Sequence, residues 1–276
     1  MKRTILHPFG RSAKKNLFEM PAEEAAPYTA SAPIYDHMMR EVDYVSWAAY
    51  LAQLLKMSGI DIRRSKLKKM ELCELACGTG NISLLLSRLG FRVTGVDSSK
   101  EMLAVAESKV GKRTRNRARF LNYDMTQFES ASTFDVEVCV YDSINYIPTK
   151  SLLSDFFKIA HENLKDGGAF VLDASLEPNS LNENNLFTQK GRHNGLAYER
   201  RSSYDRKSRI HTTIVRVGKN GKVYEEAHHE YVYDLDLLRK LISAAGFREK
   251  LAVGDFTYLE ADNKTERVHF VLLKQP

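Results

Sequence analysis

The chain has no run of about 18 apolar residues, so no segment reads as a membrane-spanning helix. Cysteine is scarce: Cys73, Cys77 and Cys139 are the whole set in 276 residues. Their spacing offers neither a disulfide framework nor a zinc site, and small buried thiols are the expected reading. Internal repeats and low-complexity tracts are absent, which excludes solenoids and composition-driven disorder. The N-terminal MKRTILHPFGRSAKK is basic but has no apolar secretory core, so the expected location is cytoplasmic.

What is there is a 43% hydrophobic chain, enough for one large domain or one domain with a small insertion. The formal net charge is +6. Its excess gathers in two runs, residues 63–69 and 109–119. These read either as solvated loops at a sheet edge or as a nucleic-acid surface.

The chain is organised around Met70–Asn81, MELCELACGTGN. Leu72–Leu75 reads as a short buried strand that enters a turn with Gly78 and Gly80. Ile82, Leu85, Leu86 and Leu89 then fall at i, i+3, i+4, i+7, one helix face, and Gly90 stops the helix. A second strand, Phe91–Val96, ends at Asp97, where a carboxylate can accept ribose hydroxyls. Two details disfavour a nicotinamide cofactor. Ser83 occupies the place of the third glycine. Glu74 precedes Gly78 by four residues, and an acid there suits a cationic ligand better than a pyrophosphate. A glycine turn serving only strand–helix packing is the alternative.

The E-x-x-x-G-x-G stretch with its distal Asp97 resembles motif I of the class I S-adenosylmethionine-dependent methyltransferases. The resemblance implies a doubly wound α/β sheet of seven strands, Rossmann-like, binding S-adenosyl-L-methionine and releasing S-adenosyl-L-homocysteine. It implies that Glu74, Ala76, Cys77, Gly78, Thr79, Gly80 and Asn81 bind the cofactor. A side chain at Gly80 is then expected to occupy cofactor space. Asp97 and the following Ser98 would hold the ribose, and Met102 would pack on the adenine. Asp124 and Met125, just after the third strand (Ala118–Asn122), would contact the adenine edge. Tyr141 ends the fourth strand, Asp135–Tyr141.

YDHMMREVDYVSWAAYLAQLL, from Tyr35, resembles the N-terminal helices of a small bacterial subfamily with an inserted antiparallel sheet, methyltransferase domain 25-like. In that group these helices cover the cofactor pocket, which makes Tyr35 and Trp47 candidates to line it. Ordinary aromatic packing is the other reading of Trp47. The element Asp142-Ser-Ile-Asn145-Tyr146 resembles the subfamily's substrate-facing loop. Residues 1–27 read as a loosely docked arm, 28–174 as helices and cofactor core, 175–233 as an inserted β lid, and 234–276 as the rest of the core. Within the lid, Leu196–Tyr204, Arg209–Val217 and Val223–Tyr233 read as three antiparallel strands, with Asn220-Gly221 a hairpin signal. Alternation puts His229, Tyr231 and Tyr233 on one face of the third strand and His228 on the other. His228 and Tyr233 match a subfamily His…Arg-x-Tyr pattern, with Tyr231 in the arginine's place.

The implied reaction is in-line methyl transfer to an N or O nucleophile, with Tyr35, Asp142, Asn145, Tyr146, His228 and His229 as catalytic candidates and no metal. Each histidine can equally be structural. A small-molecule acceptor under the lid is the expectation. RNA methylation or RNA binding through the two basic runs is the alternative; the loop after strand four lacks the proline pair of base-amine methylation.

Overall fold

The computed structural model describes residues 16–182 and 187–275. Its main sheet has seven strands in the order β11-β12-β6-β5-β2-β3-β4. These are β2 (Glu71–Leu75), β3 (Arg92–Asp97), β4 (Ala118–Asn122), β5 (Phe134–Cys139), β6 (Leu164–Ser175), β11 (Phe247–Gly254) and β12 (Arg267–Lys274). All neighbours are parallel except β12, which runs antiparallel between β6 and β11. This is the expected doubly wound α/β sheet. Strand order reverses between β2 and β5, so a crevice opens beyond their carboxyl ends.

Near-continuous apolar strands mark a sheet covered on both faces. On one face α2 (Tyr44–Met57) and α4 (Asn81–Leu89) bury Leu51, Leu54, Leu55, Ile82 and Leu86 against Leu72, Val138 and Val171. On the other, α6 (Lys150–Asn163) and α8 (Leu235–Ala244) bury Phe156, Phe157, Leu238 and Ile242 against Phe134, Phe170 and Leu172. Side-chain caps start these helices where the sequence offers them: Asp43 accepts from Ser46 N at 3.0 Å and Thr149 from Leu152 N at 3.2 Å. β5 stops two residues short of the expected Tyr141, because Tyr141 and Asp142 take left-handed backbone (φ 69° and 53°) and break the ladder.

The lid is larger than expected. Besides β8 (Leu196–Asp205), β9 (Ile210–Lys219) and β10 (Lys222–Tyr231) it includes β7 (Thr188–His193) on one edge. On the other edge β1 (Glu23–Ala25) pairs parallel to β10, within the stretch expected to be a loosely docked arm. Arg201 and Arg216 stack their guanidinium groups over Phe18, 3.9 and 4.6 Å from the ring centre, and Arg216 also binds the Leu17 and Met20 carbonyls. The remainder of that expectation, residues 1–15, lies outside the described residues.

Gly80 caps α4 with φ 74°. A Cβ there would stand 2.9 Å from both the Ala106 Cβ, on α5 (Lys100–Ser108), and the Phe120 Cζ on β4. The position is therefore closed by packing within the fold, not by a ligand, contrary to the expectation drawn from the motif. Gly80→Val combines left-handed strain with overpacking and is expected to cost about 2–4 kcal/mol. Urea unfolding should show this as a lower midpoint in the absence of any ligand.

Candidate active site

One cleft of about 1010 Å³ opens at the carboxyl ends of β2, β3 and β5 and runs under the lid. Its first half is built on the turn after β2. Ala76 and Gly78 both take φ 54°, which exposes backbone where most residues would project a side chain. Asp97 fixes the turn: its Oδ2 accepts from Gly78 N and its Oδ1 from Ser99 N, each at 2.8 Å. Burial raises the Asp97 carboxyl above its ordinary range, and these two amides partly offset that. Met102 is buried beside Gly78, its Cε 3.4 Å from where a Cβ would stand. Ser98, Asp124 and Met125 line the same end.

Glu74 lies below the turn and reaches the cleft wall. Burial pushes its carboxyl up to about 8, against the hydrogen bonds it accepts from Ser83. Ser83, the residue that breaks the dinucleotide pattern, is therefore the donor that holds Glu74 in place.

The helix α1 (Tyr35–Met38) closes over this turn through Asp36, which the sequence reading passed over. Asp36 Oδ1 accepts from Thr79 Oγ1 (2.6 Å) and Asn81 Nδ2 (3.0 Å), while Oδ2 pairs with Lys109 Nζ at 2.8 Å. Burial would raise the Asp36 carboxyl, but Lys109 first and then Thr79 bring it below the usual value. Lys109, read as part of a basic run, thus helps hold α1 on the turn. Tyr35 itself lines the cleft, edge-on to Tyr28.

The second half lies between the loop after β5 and the inner face of the lid sheet. Register places Glu226, His228 and Glu230 of β10 opposite Val215, Thr213 and His211 of β9, which face Arg200, Ser202 and Tyr204 of β8. Glu226 is a receptor for the N-terminal segment. It accepts from the backbone of Tyr28, Ala30 and Ser31 and from Ser31 Oγ, and faces His228 Nε2 at 3.2 Å. Tyr28 and Tyr146 share a hydrogen bond of 2.5 Å, and Tyr146 reaches His228 Nδ1 at 3.3 Å. Arg267 forks between Asp142 (2.7 Å) and Asp173 (2.6 Å), and Asp173 Oδ1 accepts from Asp142 N. Burial works against that guanidinium, but the two carboxylates hold it charged. Arg200 donates to Gln189 and has no ion-pair partner among the described residues.

Four expected residues lie outside this cleft. Trp47 packs against Phe256 and Tyr141 on the far side of α2, because its ring is drawn into an aromatic group with His269. Gly80 faces α5, as above. Asn145 is fully buried as a strut, binding the Ser175 backbone at both ends of its amide and the Tyr231 carbonyl. His229 points to the exposed face of β10, near Thr212. Glu74, Ala76, Cys77, Gly78, Thr79, Asn81, Asp97, Tyr141, Asp142, Tyr146 and His228 are brought together in the cleft wall. Tyr28, Asp36, Arg200, Glu226, Glu230 and Arg267 complete its neighbourhood and were missed. Only β10 offered a signal: Glu226, His228 and Glu230 alternate onto one face.

The first half suits a nucleoside carrying a positively charged tail. A side chain at Gly78 would intrude into it, Asp97 offers lone pairs at the tip of β3, and Glu74 offers an acid below. The methyltransferase-domain family model matches residues 72–168. A protein of Geobacillus sp. (strain WCH70) named as a methyltransferase is 30% identical over 253 residues, 90% of this chain and 99% of that one. A solved S-adenosylmethionine-dependent methyltransferase from Clostridium acetobutylicum ATCC 824 shares the fold with a TM-score of 0.72 at 22% identity, covering 90% of this chain and 99% of that one. The sugar N-methyltransferase KedS8 from Streptoalloteichus sp ATCC 53650 gives 0.69 at 18% identity, covering 98% and 99%. The chain belongs to the methyltransferase family. Within it, the chain is an S-adenosylmethionine-dependent enzyme of the class I fold.

Glu74 supplies a pH test. Its folded form binds a proton more tightly than an ordinary carboxyl, so its share of stability is full below about pH 4 and is lost as pH rises towards 8. Unfolding midpoints of the ligand-free protein should fall over that window, and Glu74→Gln should flatten the fall. An unchanged slope in the variant would contradict the assignment.

Proposed function

We propose that the chain transfers a methyl group from S-adenosylmethionine to a small molecule enclosed between the loop after β5 and the lid sheet. The cofactor supplies a methyl carbon bonded to a sulfonium. Ala76, Cys77, Gly78, Thr79, Asn81 and Asp97 hold it at the switch point of the main sheet. Tyr146 and His228, backed by Tyr28 and Glu226, bound the space in which an acceptor lies, and Arg267 with Asp142 forms the wall between the two halves. Transfer needs alignment and exclusion of water more than it needs a protein nucleophile.

The observation that carries this reading is the enclosure. The cleft continues from the cofactor turn into a pocket roofed by β8–β10 and closed by residues 28–31, which Glu226 ties down. A folded RNA would need an open basic groove instead. The two basic runs do not supply one here. The helix α3 (Arg64–Leu67) precedes β2 and residues 110–117 precede β4, at the amino ends of those strands, and none of them lines the cleft; Lys109 alone reaches its edge, through Asp36 and Asn81. Several of these cations are already engaged: Arg63 with Asp61, Arg117 with the Gly90 carbonyl, Arg119 with Thr94, Lys109 with Asp36. Named neighbours such as KedS8 methylate sugars, which accords with a metabolite acceptor.

Methyl-labelled cofactor incubated with a cell extract should place label in the low-molecular-mass fraction. Replacing Lys66, Lys68, Lys69, Lys112, Arg113 and Arg115 together by Gln should leave that transfer within about twofold. Label recovered in RNA, and lost in the charge-neutralised variant, would overturn the reading.

A further inference from the structure

Glu230 projects from β10 into the acceptor half of the cleft and makes no hydrogen bond or ion pair with any described residue. Charged and titratable groups surround it on every side. Tyr28 faces it from the N-terminal segment, Asp142 and Tyr146 from the loop after β5, His211 from β9, His228 from its own strand and Arg267 from β12. The one strong cation among these, Arg267, is already shared by Asp142 and Asp173. Arg200 does not serve either. It lies two strands from Glu230 and opposite Glu226, four residues back along β10. Strand geometry puts the two Cα atoms roughly 16 Å apart. The walls thus present a half-buried acid that feels Arg267 only at a distance and has no ion-pair partner of its own among the described residues, an arrangement that a cationic ligand would complete.

We propose that Glu230 is the acceptor-binding acid, and that the acceptor is a primary or secondary aliphatic amine entering as its ammonium ion. This rests on the small-molecule reading above and narrows it to nitrogen nucleophiles. The ammonium pairs with ionised Glu230, whose own proton leaves to solvent as the amine binds, and then gives the carboxylate one N–H proton. The freed lone pair forms the new N–C bond while the C–S bond breaks with its electron pair left on sulfur. Positive charge passes from the sulfonium to the methylated nitrogen, and the proton stays on the Glu230 carboxyl until product leaves. Burial first, then the Asp142 carboxylate, raises the Glu230 carboxyl well above its ordinary range, which fits a group that takes a proton from an amine near neutral pH.

Benzylamine and benzyl alcohol, which differ in charge but scarcely in shape, are suitable probes. Titration calorimetry of each is done at pH 8.5 on the protein saturated with S-adenosylhomocysteine. The wild type should bind benzylamine at least tenfold more tightly than the alcohol, and Glu230→Gln should abolish that preference while leaving the S-adenosylhomocysteine affinity unchanged. In the infrared, the wild type at neutral pH should show a protonated-carboxyl C=O band that is absent from Glu230→Gln and is altered by benzylamine. Equal affinities, no binding of either probe, or a preference that survives Glu230→Gln overturns the amine assignment. The small-molecule reading fails separately, by label transfer to RNA.

Discussion

The two hydrogen bonds that Asp97 accepts from Gly78 N and Ser99 N are the constraint on which the site depends. They join the turn after β2 to the turn after β3 through one half-buried carboxylate. The left-handed backbone at Ala76, Gly78 and Gly80 is strained for ordinary residues and persists because its surroundings over-determine it. Glu74 and Ser83 brace it from below, and Gly80 lets α4, α5 and β4 approach closely enough to hold it from the side. The glycine that most resembles a ligand-contact position thus serves the scaffold, while Gly78 faces the cleft.

Two further carboxylates tie the N-terminal segment across the cleft. Asp36 anchors α1 on the turn through Thr79, Asn81 and Lys109, and Glu226 anchors residues 28–31 on the lid sheet. Both acids are held below their ordinary pKa despite burial, because charge-assisted donors outweigh desolvation. The N-terminal segment is therefore fixed at one end to the turn after β2 and at the other to the lid sheet. Arg267, on the antiparallel strand β12, gives the wall between the halves its charge, so even the last strand of the sheet contributes to the site.

Much of this was legible in the sequence because it depends on local pattern. Apolar periodicity, Gly78, Gly80 and the spacing to Asp97 are enough for the sheet, its reversal point and the turn at the head of the cleft. The part of the cleft under the lid sheet depends on residues far apart in the chain. Asp36 meets Lys109, Tyr28 meets Tyr146, and Arg267 meets Asp142, pairings that no window of sequence contains. Alternation in β10 did separate His228 from His229, but which face turns inward is decided by the sheet's contact with the core. Trp47 and Asn145 mislead for the opposite reason. Each sits in a segment that borders the site while its side chain turns into packing, a choice set by Phe256 and by the Ser175 backbone.

A crystal structure of the complex with S-adenosylhomocysteine tests the central claim, that one cleft joins a cofactor turn to an enclosed acceptor pocket. The account predicts ribose hydroxyls on Asp97 and the sulfur atom facing the space bounded by Tyr146, His228 and Glu230, beneath the lid sheet. A sulfur atom turned instead towards open solvent, or a cofactor lying away from Gly78, would contradict it.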